Sequence, residues 1–244
     1  MLTPEFYLRT LRADAGRLAE VARMGLKQEV PSCPGWTVET VVRHTAMVYL
    51  HKVEAIRRNA RPDPWPPTDL DDRNALELYD DATARLFAQL TESGPSAPSW
   101  TWWPEDQTSG FWFRRMAQET AVHRVDAELA HDVLTPIDSE LALDGIDEVL
   151  RLMLGGEWDE GDTKYPVNAT IRLTSDGRSW TVALSGTEVT VTGGTEGEVV
   201  AEIFGEPDAL LLWLWGRRAD DAVEAAGSAD VARQFRARLK EATQ

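Results

Sequence analysis

The sequence predicts a two-part chain of class α followed by α+β: an antiparallel four-helix bundle, then a small α+β domain. Three observations lead there. Through the first 158 residues apolar side chains recur at steps of three and four. After Trp158 the composition turns polar, with glycine and proline. Beyond that stretch the apolar period falls to two. With 244 residues and 43% apolar content, a packed core is affordable in one large domain or two modest ones. The expected domains are 1–158 and 167–244.

Residues 4–24 place Phe6, Leu8, Leu11, Ala15, Leu18 and Val21 between charges, the pattern of an amphipathic helix. PSCPGW at 31–36 stops it, because two prolines and a glycine in six residues do not fit a helix interior. Thr37 can cap the next helix, with Glu39 near its positive end, and this helix runs to about Asn59. Val41, His44, Val48 and His51 share one side of it. RPDPWPP at 61–67 leads to a third helix over 69–92, with Leu76, Tyr79, Thr83, Leu86 and Leu90 inward. The loop 93–109, carrying Trp100, Trp102 and Trp103, is long for a compact domain, a length typical of binding elements or lids. A fourth helix covers 110–131 and a shorter one 144–154. Helices of this length joined by loops form a bundle whose interior sites are built from facing helices.

GEWDEGDTKYPVNA at 156–169 reads as a linker. Ile171 and Leu173, then Trp180, Val182 and Leu184, then Val189 and Val191 mark three meander strands. They are separated by Asp-Gly at 176–177 and Ser-Gly at 185–186. A fourth strand over 199–205 precedes helices at 207–217 and 228–242, completing the α+β part.

One helix face carries chemistry. Trp112, Met116, Glu119, His123, Asp126 and Ala130 form a stripe on the fourth helix with steps of 4, 3, 4, 3, 4. Its middle members are a carboxylate, an imidazole and a second carboxylate, whose burial costs several kcal/mol each unless something pairs with them. A bound metal reconciles the pattern. Glu119 and His123 lie about 5–6 Å apart on one face, close enough to share an ion. His44 supplies a third ligand from a facing helix. Two imidazoles and a carboxylate are the ligand set of many catalytic zinc sites, with one position open. Hydrogen-bonded core histidines, or a plain Glu119–His123 helix ion pair, stand as the alternatives.

Asp126 is placed to accept the other ring N–H of His123, or else to pair with Arg115 or Arg124 on the helix surface. His51 and His131 lie seven and eight residues from these ligands, about 10 Å along the axis and too far to join them, so they read as surface or rim residues. Cys33 stands alone, which excludes an internal disulfide and a CxxC site; it reads as a small buried apolar residue with no base nearby. The tryptophans of 100–103 and Trp112 read as bundle wall. Arg217 and Arg218 after LLLWLWG put cations near the domain junction.

The formal charge is −16, from 41 acidic and 25 basic residues, and no window gathers the basic residues beside stacking aromatics. Nucleic acid and anionic membrane are therefore excluded as partners. No apolar run approaches the roughly 20 residues that span a bilayer, and charges interrupt the N-terminus, so a cytoplasmic protein is expected, monomer or homodimer.

CPGWTVETVVRHTA at 33–46 and RRMAQETAVHRVDAELA at 114–130 resemble the metal-binding domain of the mycothiol-dependent maleylpyruvate isomerase family of actinobacteria, a branch of the DinB-like four-helix bundles. The resemblance covers most of 1–155. The meander and LLLWLWGR resemble the family's C-terminal sterol-carrier-protein-like domain. The resemblance implies that His44, Glu119 and His123 ligate a divalent metal, normally Zn2+. It also implies that the open position is offered to the thiolate of mycothiol, a low-molecular-weight thiol that attacks an electrophilic small molecule. In the family's isomerisation the thiolate adds to a conjugated double bond, rotation follows, and elimination gives the trans isomer; a relative stopping at transfer is a thiol S-transferase. Arg217, with Arg218 beside it, matches the basic residue that holds a substrate carboxylate. Two other classes stay open: zinc-dependent hydrolysis by metal-bound water with Asp126 as base, and a non-catalytic protein that binds a small apolar molecule.

Overall fold

A computed structural model describes residues 2–67, 70, 72–156 and 164–243. The chain divides into two compact units, Met1–Thr135 and Pro136–Gln244.

The first unit is built from α1 (Pro4–Met24), α2 (Val38–Arg58), α3 (Ala75–Ser93) and α4 (Ser109–Ala130). α1 packs on α4 and α2 on α3, and α2–α4 and α1–α3 contacts close the bundle. Leu11, Leu18, Leu86, Leu90, Trp112 and Met116 are buried between them, each large apolar side chain contributing about 1.5–3 kcal/mol. Local chemistry sets the ends. Thr3 accepts the amide of Phe6 ahead of Pro4. Before α2 the backbone turns twice, the Cys33 amide donating to the Val30 carbonyl and the Trp36 amide to that of Cys33, with Gly35 at φ 85°. That positive φ favours glycine. Thr37 then caps the helix in a reciprocal capping box with Thr40.

Two expectations change. α3 starts at Ala75, where Asn74 accepts the amides of Leu76 and Glu77, rather than near 69; residues 68, 69 and 71 lie outside the described residues. α4 is buried round nearly its whole girth and not along one stripe: Arg114, Arg115, Gln118, Arg124 and Glu128 are buried with the apolar residues. The loop before it is folded on itself. The Ser99 amide donates to the Gln107 carbonyl, and the Gln107 side-chain amide donates to Thr101 and to the Trp103 carbonyl.

The second unit opens with α5 (Ser139–Glu148), capped by Asp138, which continues as a π-helical turn over Val149–Leu154. The helix expected at 144–154 as part of the bundle thus belongs to this unit, and the division falls after Thr135 instead of at 158. The reason is packing: Leu141, Ala142 and Ile146 are fully buried, and α5 lies against α6. Half of the expected linker, residues 157–163, falls outside the described residues. The sheet comprises β1 (Val167–Ser175), β2 (Arg178–Gly186), β3 (Glu188–Gly193), β4 (Ala201–Phe204) and β5 (Glu224–Gly227), in the order β3-β2-β1-β4-β5. Only β1–β4 is parallel. Asp176 and Gly177, at φ 43° and 73°, make the tight β1–β2 hairpin as their sequence demands. β5, EAAG, has no alternation to announce it and is fully exposed. Helices α6 (Pro207–Leu214) and α7 (Ala229–Thr243) complete the unit. Among the described residues no helix is long and apolar enough to cross a membrane.

Candidate metal centre

His44 from α2 and Glu119 and His123 from α4 meet, their ligand atoms all within 4.8 Å of one another. One carboxylate oxygen, Glu119 Oε1, lies 3.3 Å from His44 Nε2 and 3.3 Å from His123 Nε2. Charge-assisted hydrogen bonds are shorter, about 2.7–2.9 Å. The edge of a tetrahedron with bonds of about 2.0–2.1 Å is about 3.3–3.4 Å, so the two edges to the carboxylate oxygen match those around one zinc-sized ion. The donor set suits such an ion too.

His123 and Glu119 are each held from behind. His123 Nδ1 lies 2.9 Å from Asp126 Oδ2, which orients Nε2 towards Glu119. Asp126 is fully buried and also accepts from Ser32 Oγ at 2.6 Å and from the Cys33 thiol at 3.7 Å. It meets the ring nitrogen of His123 opposite the one that faces Glu119, and its full burial takes it off the helix surface. Arg115 Nη2 holds Glu119 Oε2 at 2.8 Å, leaving Oε1 for the histidines. Trp36 covers the pair, nearly parallel to His123 with centroids 6.1 Å apart and tilted on His44 at 5.0 Å.

Burial disfavours charge on both His123 and Glu119, yet their mutual attraction prevails. His123 rises to about 9, with Asp126 adding to the effect of Glu119. Glu119 falls well below the usual carboxylate range under His123, His44 and Arg115. Without an ion, the cluster is an imidazolium–carboxylate pair, and an entering cation must displace a proton.

The remaining candidates scatter. His131 Nε2 bonds the Gly25 carbonyl at 3.0 Å, joining the ends of α4 and α1. His51 is partly buried against Trp65 and Trp100, and burial, Lys52 and Arg61 lower it to about 4. Trp112 is wholly buried, its indole N–H on Ser99 Oγ at 3.0 Å, as a wall residue should be. Cys33 is only partly buried and touches a carboxylate rather than an apolar core. In the second unit, Gly216 at φ 78° ends α6, and the amides of Arg217 and Arg218 both reach back to the Leu212 carbonyl. Arg217 Nη1 donates to the Trp215 carbonyl at 2.6 Å, while Arg218 is exposed. Sequence reasoning missed Ser32 and Trp36. The signal was present in PSCPGW, a rigid turn placed directly before the helix that carries His44.

The profile of the mycothiol maleylpyruvate isomerase N-terminal domain matches residues 8–128, and that of the MDMPI C-terminal domain matches 140–234. The chain belongs to the mycothiol-dependent maleylpyruvate isomerase family. It is thus a member of an enzyme family, and the two matched segments fall on either side of the division after Thr135. No curated protein matches the sequence. The crystal structure of a mycothiol-dependent maleylpyruvate isomerase aligns over 93% of this chain and 95% of its own, with TM-score 0.62 and 14% identity. A histidine-to-alanine mutant of that enzyme aligns with the same values. At that identity the likeness concerns the fold. A sterol carrier protein 2-like structure from Aedes aegypti aligns over 41% of this chain and 98% of its own, with 16% identity and TM-score 0.32.

Proposed function

We propose that the chain is a divalent-metal enzyme, with zinc the first candidate, of the maleylpyruvate isomerase or thiol S-transferase type. It uses mycothiol or a similar low-molecular-weight thiol against an electrophilic small molecule. The observation that carries the reading is the pair of equal 3.3 Å separations from two imidazole nitrogens to one carboxylate oxygen.

His44, Glu119 and His123 would hold the ion, and each has a support that makes the set fit. Asp126 keeps the proton of a neutral His123 on Nδ1, so that the Nε2 lone pair is the one offered. Ser32 fixes Asp126 in turn. Arg115 turns Glu119 and balances its charge. Trp36 shields the imidazoles on one side, which limits water there. A bound divalent ion supplies an open position where a thiol is held as thiolate, the nucleophilic form. Arg217 is proposed to bind a substrate carboxylate, as the family resemblance implies, with its planar guanidinium suited to bidentate contact.

Elemental analysis of wild type, His44→Ala and His123→Ala, coupled to titration with mycothiol, tests the centre. Near-stoichiometric metal in wild type alone, with thiol binding that depends on it, is expected. Carefully prepared wild type that holds no metal and refuses added zinc would overturn the reading. For the substrate residue, Arg217→Ala should raise KM for a carboxylate substrate about 10-fold or more, with Arg218→Ala near wild type.

A further inference from the structure

Along the packed helices α2 and α4, two turns from the histidines, lies a second charged feature. Lys52 stands two turns beyond His44 on α2, and Trp112 two turns before Glu119 on α4. Lys52 Nζ lies 4.6 Å from the centroid of the Trp112 ring and 3.3 Å from His51 Nδ1. His51 stands edge-on to Trp65 at 5.1 Å and tilted against Trp100 at 6.1 Å. The ammonium thus ends in an aromatic collar, beside a histidine that burial and cationic neighbours hold neutral.

That ammonium lacks a counter-charge. Among the described residues no carboxylate forms an ion pair with Lys52. Glu119, the acid whose charge reaches it, has one oxygen turned to the histidines and the other taken by Arg115. A cation–π contact returns only about 0.5–2 kcal/mol, whereas taking an ammonium out of water costs several. Burial lowers the amine to about 8, against the charge of Glu119 and with that of Arg115. Natural proteins rarely leave a partly buried cation in this condition except where something else supplies the anion.

We infer that Lys52 is a specificity-determining residue that binds a carboxylate of the molecule reacting at the His44–Glu119–His123 centre. The inference rests on the reading of that centre as the reacting one. Eight residues along a helix are about 12 Å, and the reach of the lysine shortens the gap, so a small elongated electrophile can span from the centre to the ammonium. The collar of Trp112, Trp100 and Trp65 would flank its apolar middle. An uncharged electrophile gains nothing from Lys52, and the preference is for acids over their esters or amides.

The test uses maleate as probe and dimethyl maleate as its uncharged control. Titrations into the full chain are followed by tryptophan fluorescence and calorimetry, with zinc-loaded and chelator-treated protein in parallel. The expected result is saturable maleate binding in both forms, weakened about 10-fold or more in Lys52→Gln, retained within a few-fold in Lys52→Arg, and absent for the diester. Near-ultraviolet circular dichroism confirms that the variants are folded, and Lys52→Met serves as second neutral variant if Lys52→Gln is not. Equal affinity in wild type and the neutral variant, or no maleate binding by wild type, would overturn the inference and leave the amine to its contacts with Trp112 and His51. Because the chelated protein is measured too, loss of the metal reading alone shows itself as maleate binding without zinc uptake.

Discussion

Helix α4 carries two ionic clusters one turn apart, and they are built to opposite ends. Glu128 is wholly inaccessible and accepts from Arg17 Nε at 2.7 Å, Arg124 Nη1 at 2.7 Å, the Thr135 amide at 2.9 Å and the Thr135 hydroxyl at 2.8 Å. Arg124 in turn reaches Asp14 at 3.1 Å and the Thr135 carbonyl at 2.6 Å. Both carboxylate oxygens of Glu128 thus have short partners. At the other cluster the side chains of His44 and Glu119 remain 38% and 18% exposed, and the separations to the shared oxygen are 3.3 Å. The same residue chemistry serves as a strut in one place and, in the reading proposed above, as a ligand set in the other. Length of contact and access to solvent make the distinction, because only a network with an unfilled position leaves room for a visitor.

The largest effect should come from breaking the closed cluster. Glu128→Ala takes from the buried Arg124 its closest carboxylate, leaving Asp14, and is expected to cost about 3–5 kcal/mol of stability by chemical denaturation. Glu119→Gln should cost clearly less while removing metal uptake. Equal losses at the two sites would erase the difference drawn between them.

A smaller effect is expected from the support of His123. Asp126→Asn keeps the shape but weakens the hold on the ring, and metal affinity should fall about 10–100-fold in a competition titration with a chromophoric chelator. The fold should be little changed, since Asn still accepts from Ser32. An affinity equal to wild type would show that the Asp126 contact serves packing alone.

The pH dependence separates the clusters by sign. In metal-free protein His123 stands at about 9 against 6.5 for a free imidazole, so its contribution is fully present below about 6.5 and is lost as pH rises through about 9. Burial raises the Glu128 carboxyl, but Arg17, the Thr135 amide and Arg124 overcome it and hold it below the usual 4.5. Its contribution is present above 4.5 and is lost as pH falls through the lowered value. Thermal unfolding of chelated protein should therefore decline towards pH 9 as well as in acid. Zinc should abolish the alkaline decline, since an ion then takes the place of the His123 proton. An alkaline limb unchanged by zinc would detach His123 from the metal.

Much of this was legible in the chain. The four long helices, the capping Thr37, the Asp-Gly hairpin and the alternating strands rest on local periodicity and turn chemistry, which short stretches specify without help. The meeting of His44, Glu119 and His123 was legible for a similar reason: Glu119 and His123 are four residues apart on one helix, and His44 shares a face with Val41 and Val48. Asp126 could be placed beside His123 for the same reason, though not separated from a surface pairing. The burial of Arg115, Arg124 and Glu128 was not legible. An arginine on a helix is ordinarily at the surface, and only contact with residues over a hundred positions away, as for Arg17 with Glu128, removes it from water.

By itself the sequence determined the helix and strand periods, the Thr37 cap, the Asp-Gly hairpin, and the shared faces that carry His44 on α2 and Glu119 and His123 on α4. Tertiary structure alone decided that α5 joins the sheet-bearing unit, that Asp126 stands behind His123 under Ser32 and Cys33, and that Trp36 covers the imidazoles. It also decided that Lys52 ends over Trp112 without a carboxylate. The physical reason is range. Backbone preferences and side-chain periods act over a few residues, whereas burial, charge compensation and ring stacking depend on which distant elements the packing brings within a few ångströms.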